Sequence, residues 1–598
     1  MKRNRVNGHV SKEAYEEGSG SSSSGFGIRA NETELAGRRM VSVSTKKSKK
    51  KEEFAKHIQS LHKGFYDWVK TQSSSSSSKH ASKSNLKMGV QDCINYSTEL
   101  EDRYLRTYGE VLTFGSGDCG QLAHGMEEDD DLMVKFPRVV MDLRNKKVVG
   151  ISCGGLHNAV YTETGQVYTW GCNDDLSLGR ALPKELENGE DADASEAYWN
   201  NPYLVSGKDD ELITGNVVFV GVSCGDAHTM AITAEGEVWG WGCYKDKEGK
   251  QWFDADYEKC GRQDKKALQK DIKKAQVLPL KIDFFSQDSQ GSSSINTINK
   301  HDDRKVVSLC SGTCYNVARC SSGQLYSWGV SECGELARPT KPMKVNANDP
   351  EDPELEVYDH EEIFKTLMTP GYMYQTESSL VVPMQKNDVR QRHTAPDGTK
   401  LVQVRDVQSA GCGAYHTMVI KDSDVYSCGL NNYGQLGHGD EENRDFFEPV
   451  EALAGLGVAQ ACGGIHHSLV VTGQGRLLGF GRGDSGQLGV KSIAESEAGA
   501  FSNVPVGPDT AKGSEPVENV HFVKVAAGTN HNLALTKENE LYTWGYGDML
   551  ALGHGKEKDE LAPRRVKFGT KNSAVVTTMT QVDGGGQHSA IIGTVTAI

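Results

Sequence analysis

A chain of 598 residues with 66 glycines and only 16 prolines is too long for one ordinary core and too proline-poor for a collagenous or disordered protein. The formal charge of −15 is unevenly spread. Residues 1–90 hold 18 basic and 8 acidic side chains, and the remainder holds 48 against 73. A basic arm suits a polyanion, and an acidic body suits a basic protein surface.

No apolar run of about 18 residues occurs, and the start MKRNRVNGHV lacks the apolar core of a secretory signal. The expectation is a soluble intracellular protein with no membrane partner. Cys153, Cys224, Cys412 and Cys462 each directly precede a glycine, which reads as small apolar filling in a reducing compartment.

In chain order, residues 1–107 form a basic, Ser-rich, mostly disordered extension. Its KRNR, SGSSSSG and RRMVSVSTKKSKKK segments place Lys46, Lys47, Lys49, Lys50 and Lys51 in one cluster. Such a cluster suits importin recognition, hence nuclear localisation, and is compatible with DNA or chromatin contact. A nonspecific solvated tail is the alternative. Phe54, Ile58, Leu61, Phe65 and Trp68 then form an apolar stripe, predicting a helix over 53–71 that docks on a partner or on the body of its own chain. Ser73–Ser78 is a flexible linker.

From 108 to 598 the chain repeats itself seven times. One half of the unit is GGLH (Gly154–His157), GDAH (Gly225–His228), GTCY (Gly312–Tyr315), GAYH (Gly413–His416), GGIH (Gly463–His466), GTNH (Gly528–His531) and GGQH (Gly585–His588). The third copy has lost its histidine. The other half is an aromatic-Gly segment: FGSGDCGQL at Phe114, WGCNDDLSLGR at Trp170, WGCYKDKEG at Trp241, WGVSECGELAR at Trp328, CGLNNYGQLG at Cys428, FGRGDSGQLG at Phe480 and WGYGDMLALG at Trp544.

Strand-like alternation flanks Gly165, Gly236, Gly323 and Gly475, where tight hairpins need positive φ. The chain opens on one half-unit and closes on the other. These observations predict an all-β, seven-bladed β-propeller with four-stranded blades, closed by combining N- and C-terminal half-blades. Polar insertions at 180–216, 250–276, 285–304, 339–402 and 492–518 fall on its rims.

Over 108–598 these motifs resemble the regulator of chromosome condensation family, the nuclear exchange factor for the GTPase Ran. VLTFGSGDCGQL, GDAHTMAITAEGEVWGWG and GGGQHSAII occur in the family's order. The resemblance implies that one face grips Ran while a β-wedge hairpin, here Lys245, Asp246, Lys247 and Glu248, loosens the nucleotide. No covalent chemistry is involved, and no cofactor or metal is expected. The resemblance also places Asp118, Asp226 and Arg338 at the GTPase face, with His157, His416, His466 and His588 near it.

This chain departs from the family's pattern at Lys245, where an arginine is usual, and at Cys314 and Gly434, where an aspartate and a histidine are usual. Family members also bind nucleosomes through the tail and a propeller loop. Here the insertion after Arg338 carries PEDPELEVYDHEE, whose acidity opposes docking on an acidic nucleosome surface.

Two other readings are open. One is a noncatalytic propeller scaffold that binds a protein partner or chromatin. The recurrent histidines then serve as buried bonds between blades, and without a second ligand at zinc spacing they do not suggest a metal site. The other is a hydrolase, since GISCG at Gly150 and GVSCG at Gly221 match GxSxG. A nucleophile elbow needs a following helix, whereas both matches run into the next repeat strand, so Ser152 and Ser223 read as structural.

Overall fold

The computed structural model describes residues from Tyr108 to Ala597, apart from internal stretches of which the longest are 256–271, 283–304 and 338–380. All lie in the second of two compact units, Asp92–Ile598. The predicted helix at 53–71 and the Lys46–Lys51 cluster fall outside the described residues.

Seven antiparallel sheets form the blades of the expected propeller. Blade 1 consists of Val148–Cys153, His157–Thr162, Val167–Gly171 and Tyr203–Leu204. In blade 2 the strands are Phe219–Cys224, His228–Thr233, Val238–Gly242 and Gln276–Ile282. Blade 3 has three described strands, Val306–Ser311, Tyr315–Cys320 and Leu325–Gly329. Blades 4, 5 and 6 begin at Val407, Val458 and Phe522, each with four strands.

Blade 7 closes the ring. Its inner strands, Val575–Gly584 and His588–Ala597, come from the C-terminal part of the chain, and its outer strands, Glu110–Ser116 and Met133–Val139, come from the first repeat half. Six consecutive residues of Glu110–Ser116 pair with His588–Gly593, so the ring is joined by a full strand pairing rather than by a point contact.

The turn glycines behave as the pattern requires, with φ of +80° at Gly165 and +85° at Gly236. Among the insertions, 180–216 contains a helix, Ala192–Asn200. Its end is held by the buried Arg180, which donates to the carbonyls of Tyr198, Trp199 and Asn201 at 2.7–3.3 Å.

The hydrophobic cores lie between blades, as expected when no repeat buries its own face alone. Val149, Tyr161, Phe219, Ala231 and Trp241 join blade 1 to blade 2, and Phe114, Ile591 and Leu533 join blade 7 to blade 6. Apolar packing between sheets is nondirectional, so it does not by itself fix how one blade meets the next.

A buried belt of hydrogen bonds does. The repeat histidine of one blade bonds through Nε2 to a small polar side chain on the next: His157 to Thr229, His228 to Asn316, His416 to Ser468, His467 to Asn532, His531 to Ser589 and His588 to Asn158, all at 2.7–2.9 Å. Where Tyr315 replaces histidine, its hydroxyl donates to the His416 carbonyl at 2.5 Å and lies 3.1 Å from Thr417 Oγ1. Asn Oδ1 can only accept, so its histidine must donate from Nε2, which fixes the neutral tautomer.

The glycine three residues before each histidine is required by this arrangement. The imidazole lies across it, so that a Cβ added at Gly225 would meet His228 Cε1 at 2.1 Å.

The structure departs from the sequence expectation at the recurrent histidines. In GGIHH the belt residue is His467, not His466, because Gly464 N–H bonds the His467 carbonyl as Gly154 bonds His157. The fifth copy is therefore displaced by one residue. In addition, His157, His416 and His588 are at most 1% exposed; they belong to the belt and not to a contact surface.

Burial holds these imidazoles well below their usual range, to about 3 for His157, His416 and His588 and about 4 for His228, His467 and His531. In the window between those values and 6.5 the unfolded chain binds protons that the folded chain refuses, so stability is full above pH 6.5 and falls as pH drops. Asp583 opposes this, since burial lifts its carboxyl to about 6, as do the raised Asp226 and Asp559 carboxyls, but the six belt imidazoles outnumber them, and His438, His466 and His554 are lowered as well. The melting temperature should fall steadily from pH 6.5 to pH 4; a flat profile contradicts the belt's protonation state.

The belt also predicts a graded response at Asn532, which accepts from His467 and donates to the Gln487 carbonyl. Asn532→Leu strands both partners and should cost about 3 kcal/mol, whereas Asn532→Ser, the residue blade 5 uses, should cost less than about 1 kcal/mol. Urea denaturation of the two variants measures this.

Candidate functional site

Antiparallel order within a blade puts two loops on the same face, the one between its first and second strands and the one after its third. The first type forms the mouth of the ring, where backbone bonds run from blade to blade: Asp226 N–H to the Thr313 carbonyl, Thr313 N–H to Ala414, and Ala414 N–H to Gly464, at 2.9–3.1 Å. Asp226 leans over the neighbouring blade. A side chain at Gly155 would meet its Oδ1 at 2.1 Å.

The second type carries an aspartate at the same repeat position in four blades: Asp118, Asp174, Asp484 and Asp548, all exposed. With the exposed Asp226, they give this face an acidic character among the described residues. Arg482 pairs with Asp484 at 2.6 Å. Sequence reading picked out only Asp118 and Asp226; the other three were visible in the aligned copies as the acid four residues after the aromatic of the aromatic-Gly pair.

These same loops reach inward to complete the belt. The polar residue that directly follows each belt histidine also donates to a loop carbonyl of the preceding blade. Asn158 bonds Gln121, Thr229 bonds Ser177, Thr417 bonds Glu335, Ser468 bonds Gln435, Asn532 bonds Gln487 and Ser589 bonds Ala551, at 2.7–2.9 Å. Trp170, Trp241 and Trp544 donate to the same carbonyls at 2.7–3.0 Å.

Blade 2 is the exception. In place of that loop it has a two-stranded hairpin, Tyr244–Lys245 paired with Gln251–Trp252. The missing carbonyl is replaced by the Tyr244 hydroxyl, which accepts from Asn316 Nδ2 at 3.0 Å and Trp328 Nε1 at 3.1 Å. Its ring, 2% exposed, packs on His228 at 4.7 Å and stacks on Phe253 at 5.8 Å. The hairpin is thus rooted in the belt at the seam between blades 2 and 3.

Polar bonds at the face brace it further. Lys245 Nζ pairs with Asp175 at 2.5 Å, Gln251 Nε2 donates to the same carboxylate at 2.7 Å, and Lys245 N–H donates to Cys314 Sγ at 3.3 Å. Although Asp226 keeps an exposed edge, the loops packed around its carboxyl strip part of its water and raise it above its usual range, with Lys245 opposing the rise and Asp175 adding to it. Asp175 escaped the sequence reading, although it is an acid where five of the other six copies have Cys119, Cys333, Tyr433, Ser485 and Met549, the sixth having Asp246.

The structure therefore brings Asp226, Lys245 and Cys314 together, with Asp118 on the same face. His466 also lies on this face, half-buried, its ring 4.9 Å from that of Tyr433. Asp246, Lys247, Glu248 and Arg338 fall outside the described residues. Among the described residues no group of three or more His, Cys, Asp or Glu is placed to hold a metal ion, and no helix is long and apolar enough to cross a membrane. Ser152 and Ser223 sit within strands that lead to another strand, not a helix.

Known proteins share this architecture. The chain is 27% identical over 497 residues to the regulator of chromosome condensation of Homo sapiens, covering 81% of this chain and 90% of that protein. It is 23% identical over 509 residues to guanine nucleotide exchange factor SRM1 of Saccharomyces cerevisiae, covering 82% and 89%. The crystal structure of Prp20p from Saccharomyces cerevisiae, reported with its binding properties to Gsp1p and histones, superposes with a TM-score of 0.59 at 21% identity, covering 83% of this chain and 95% of that one. The family model of the RCC1-like domain matches residues 110–591, and the chain belongs to that family.

Proposed function

We propose that this protein is a guanine-nucleotide exchange factor for the small GTPase Ran. The observation that carries the reading is the Tyr244–Trp252 hairpin, rooted in the belt and rising from an acidic face at the one blade that lacks the usual loop. Asp118, Asp226 and the matching Asp174, Asp484 and Asp548 attract a basic GTPase surface and set its orientation. The hairpin turn, with Asp246, Lys247 and Glu248, then presses on the nucleotide site. The names of the human and yeast relatives support this reading, as does the Gsp1p binding stated for Prp20p.

The work is done by differential binding. A factor that holds the nucleotide-free GTPase more tightly than the loaded form lowers nucleotide affinity by the same factor. A rigid hairpin matters because any freedom it had would be lost on binding, at a cost to the nucleotide-free complex. Lys245, tied to Asp175, serves as a brace for the hairpin. His466 and Arg338 are assigned to the rim of the contact. The Lys46–Lys51 cluster is assigned to importin-dependent nuclear entry, and the basic tail to chromatin, as the histone binding stated for Prp20p also suggests.

Release of labelled GDP from Ran tests this. The full chain should accelerate release well above the intrinsic rate, and Asp226→Lys should lower kcat/KM about 10-fold or more through like-charge repulsion, without changing the melting temperature. Binding of Ran with no acceleration, insensitive to nucleotide state, would instead identify a noncatalytic scaffold.

A further inference from the structure

Inside the belt, the innermost strand of each blade touches the innermost strand of the blade on either side, and together these strands wall the axis. At three seams a side-chain contact joins the residue two before the mouth-loop glycine of one blade to the residue just before that glycine on the next. Between blades 1 and 2 these are Ser152 and Cys224, with Cys224 N–H donating to Ser152 Oγ at 3.0 Å. Between blades 7 and 1 they are Asp583 and Cys153, with Cys153 N–H donating to the carboxylate at 2.8 Å.

Between blades 3 and 4 they are Cys310 and Cys412, and their Sγ atoms lie 2.9 Å apart. At the matching repeat positions the other seams carry Ser223 and Ser311, Gly411 and Gly463, Cys462 and Ala527, and Ala526 and Gly584. This is the one seam in the ring with sulfur on both sides. Both thiols are free and partly exposed. They belong to antiparallel-sheet strands held in register by their own blades, Val306–Ser311 and Val407–Cys412, so bonding them requires side-chain rotation and little backbone movement.

We infer that Cys310 and Cys412 form a reversible disulfide that clasps blades 3 and 4 together when the chain meets a thiol oxidant of the peroxide class. One thiolate attacks hydrogen peroxide, forming a sulfenic acid as the O–O bond breaks and hydroxide leaves to become water. The second sulfur then attacks the sulfenic sulfur, the S–O bond breaks, and its hydroxyl takes up a proton to leave as a second water. Two thiols are oxidised and one peroxide is reduced; a dithiol reductant reverses the bond.

The clasp would close a loop of about 100 residues, a length at which cross-linking restricts the unfolded chain strongly. It spans the seam where Tyr315 replaces the belt histidine. It also lies on the strand that leads into Cys314, against which the hairpin rests.

The full chain treated with stoichiometric hydrogen peroxide, alkylated and digested without reductant should yield a Cys310–Cys412 linked peptide lighter by two hydrogens than the sum of its parts. Its melting temperature should rise by at least a few degrees and return on adding dithiothreitol. Cys310→Ser and Cys412→Ser introduce the residue found at the matching position of blade 1 or blade 3, so both should fold, and both should lose the shift. Alkylation of both cysteines after peroxide treatment, sulfinic acid at either one, or the same shift in Cys310→Ser would overturn the inference.

Discussion

Everything in this ring depends on the hydrogen-bonded belt that links each blade to the next. Apolar packing between sheets supplies most of the stabilisation but tolerates sliding and rotation, because it has no direction. The belt removes that freedom. Each small polar residue bonds one side chain of the preceding blade and donates to that blade's loop carbonyl, as Asn532 does with His467 and Gln487. A blade that slipped by one residue would leave two buried polar groups unsatisfied at once. Blade geometry is thereby transmitted around the ring until His588 meets Asn158.

The belt also explains why one blade can carry a projecting hairpin. A loop that supplies a structural carbonyl cannot be replaced without a substitute for that carbonyl. Blade 2 meets the requirement with the Tyr244 hydroxyl, a side-chain acceptor in place of a main-chain one. The backbone after Trp241 is then free to turn outward while its first residues remain buried. Asp175 and Cys314, contributed by the blades on either side, fix the hairpin where it leaves the surface.

Much of this was legible in the sequence, and the failures have physical causes. Seven copies and their offset ends gave the ring, because blade closure leaves its mark on which half-unit comes first. The hairpin glycines were readable because positive φ is a local demand. His466 was mistaken for the belt residue because a histidine doublet fits either register. Ser468, a small polar residue like the one after every other belt histidine, marks His467 as the member. Tyr244 and Asp175 escaped notice because their roles appear only when a copy is compared with its neighbours across a seam, where the informative feature is a departure from the repeat. The helix Ala192–Asn200 was read as loop, its composition being too polar to show an apolar face.

The most direct test of the account separates rooting of the hairpin from attraction by the acidic loops. In Tyr244→Phe the ring remains and only the acceptor for Asn316 and Trp328 is removed. Measured as nucleotide release from Ran against GTPase concentration, the account predicts a lower maximal rate with an unchanged half-saturating concentration, since the acidic loops are intact. A maximal rate equal to that of the unaltered protein would contradict it.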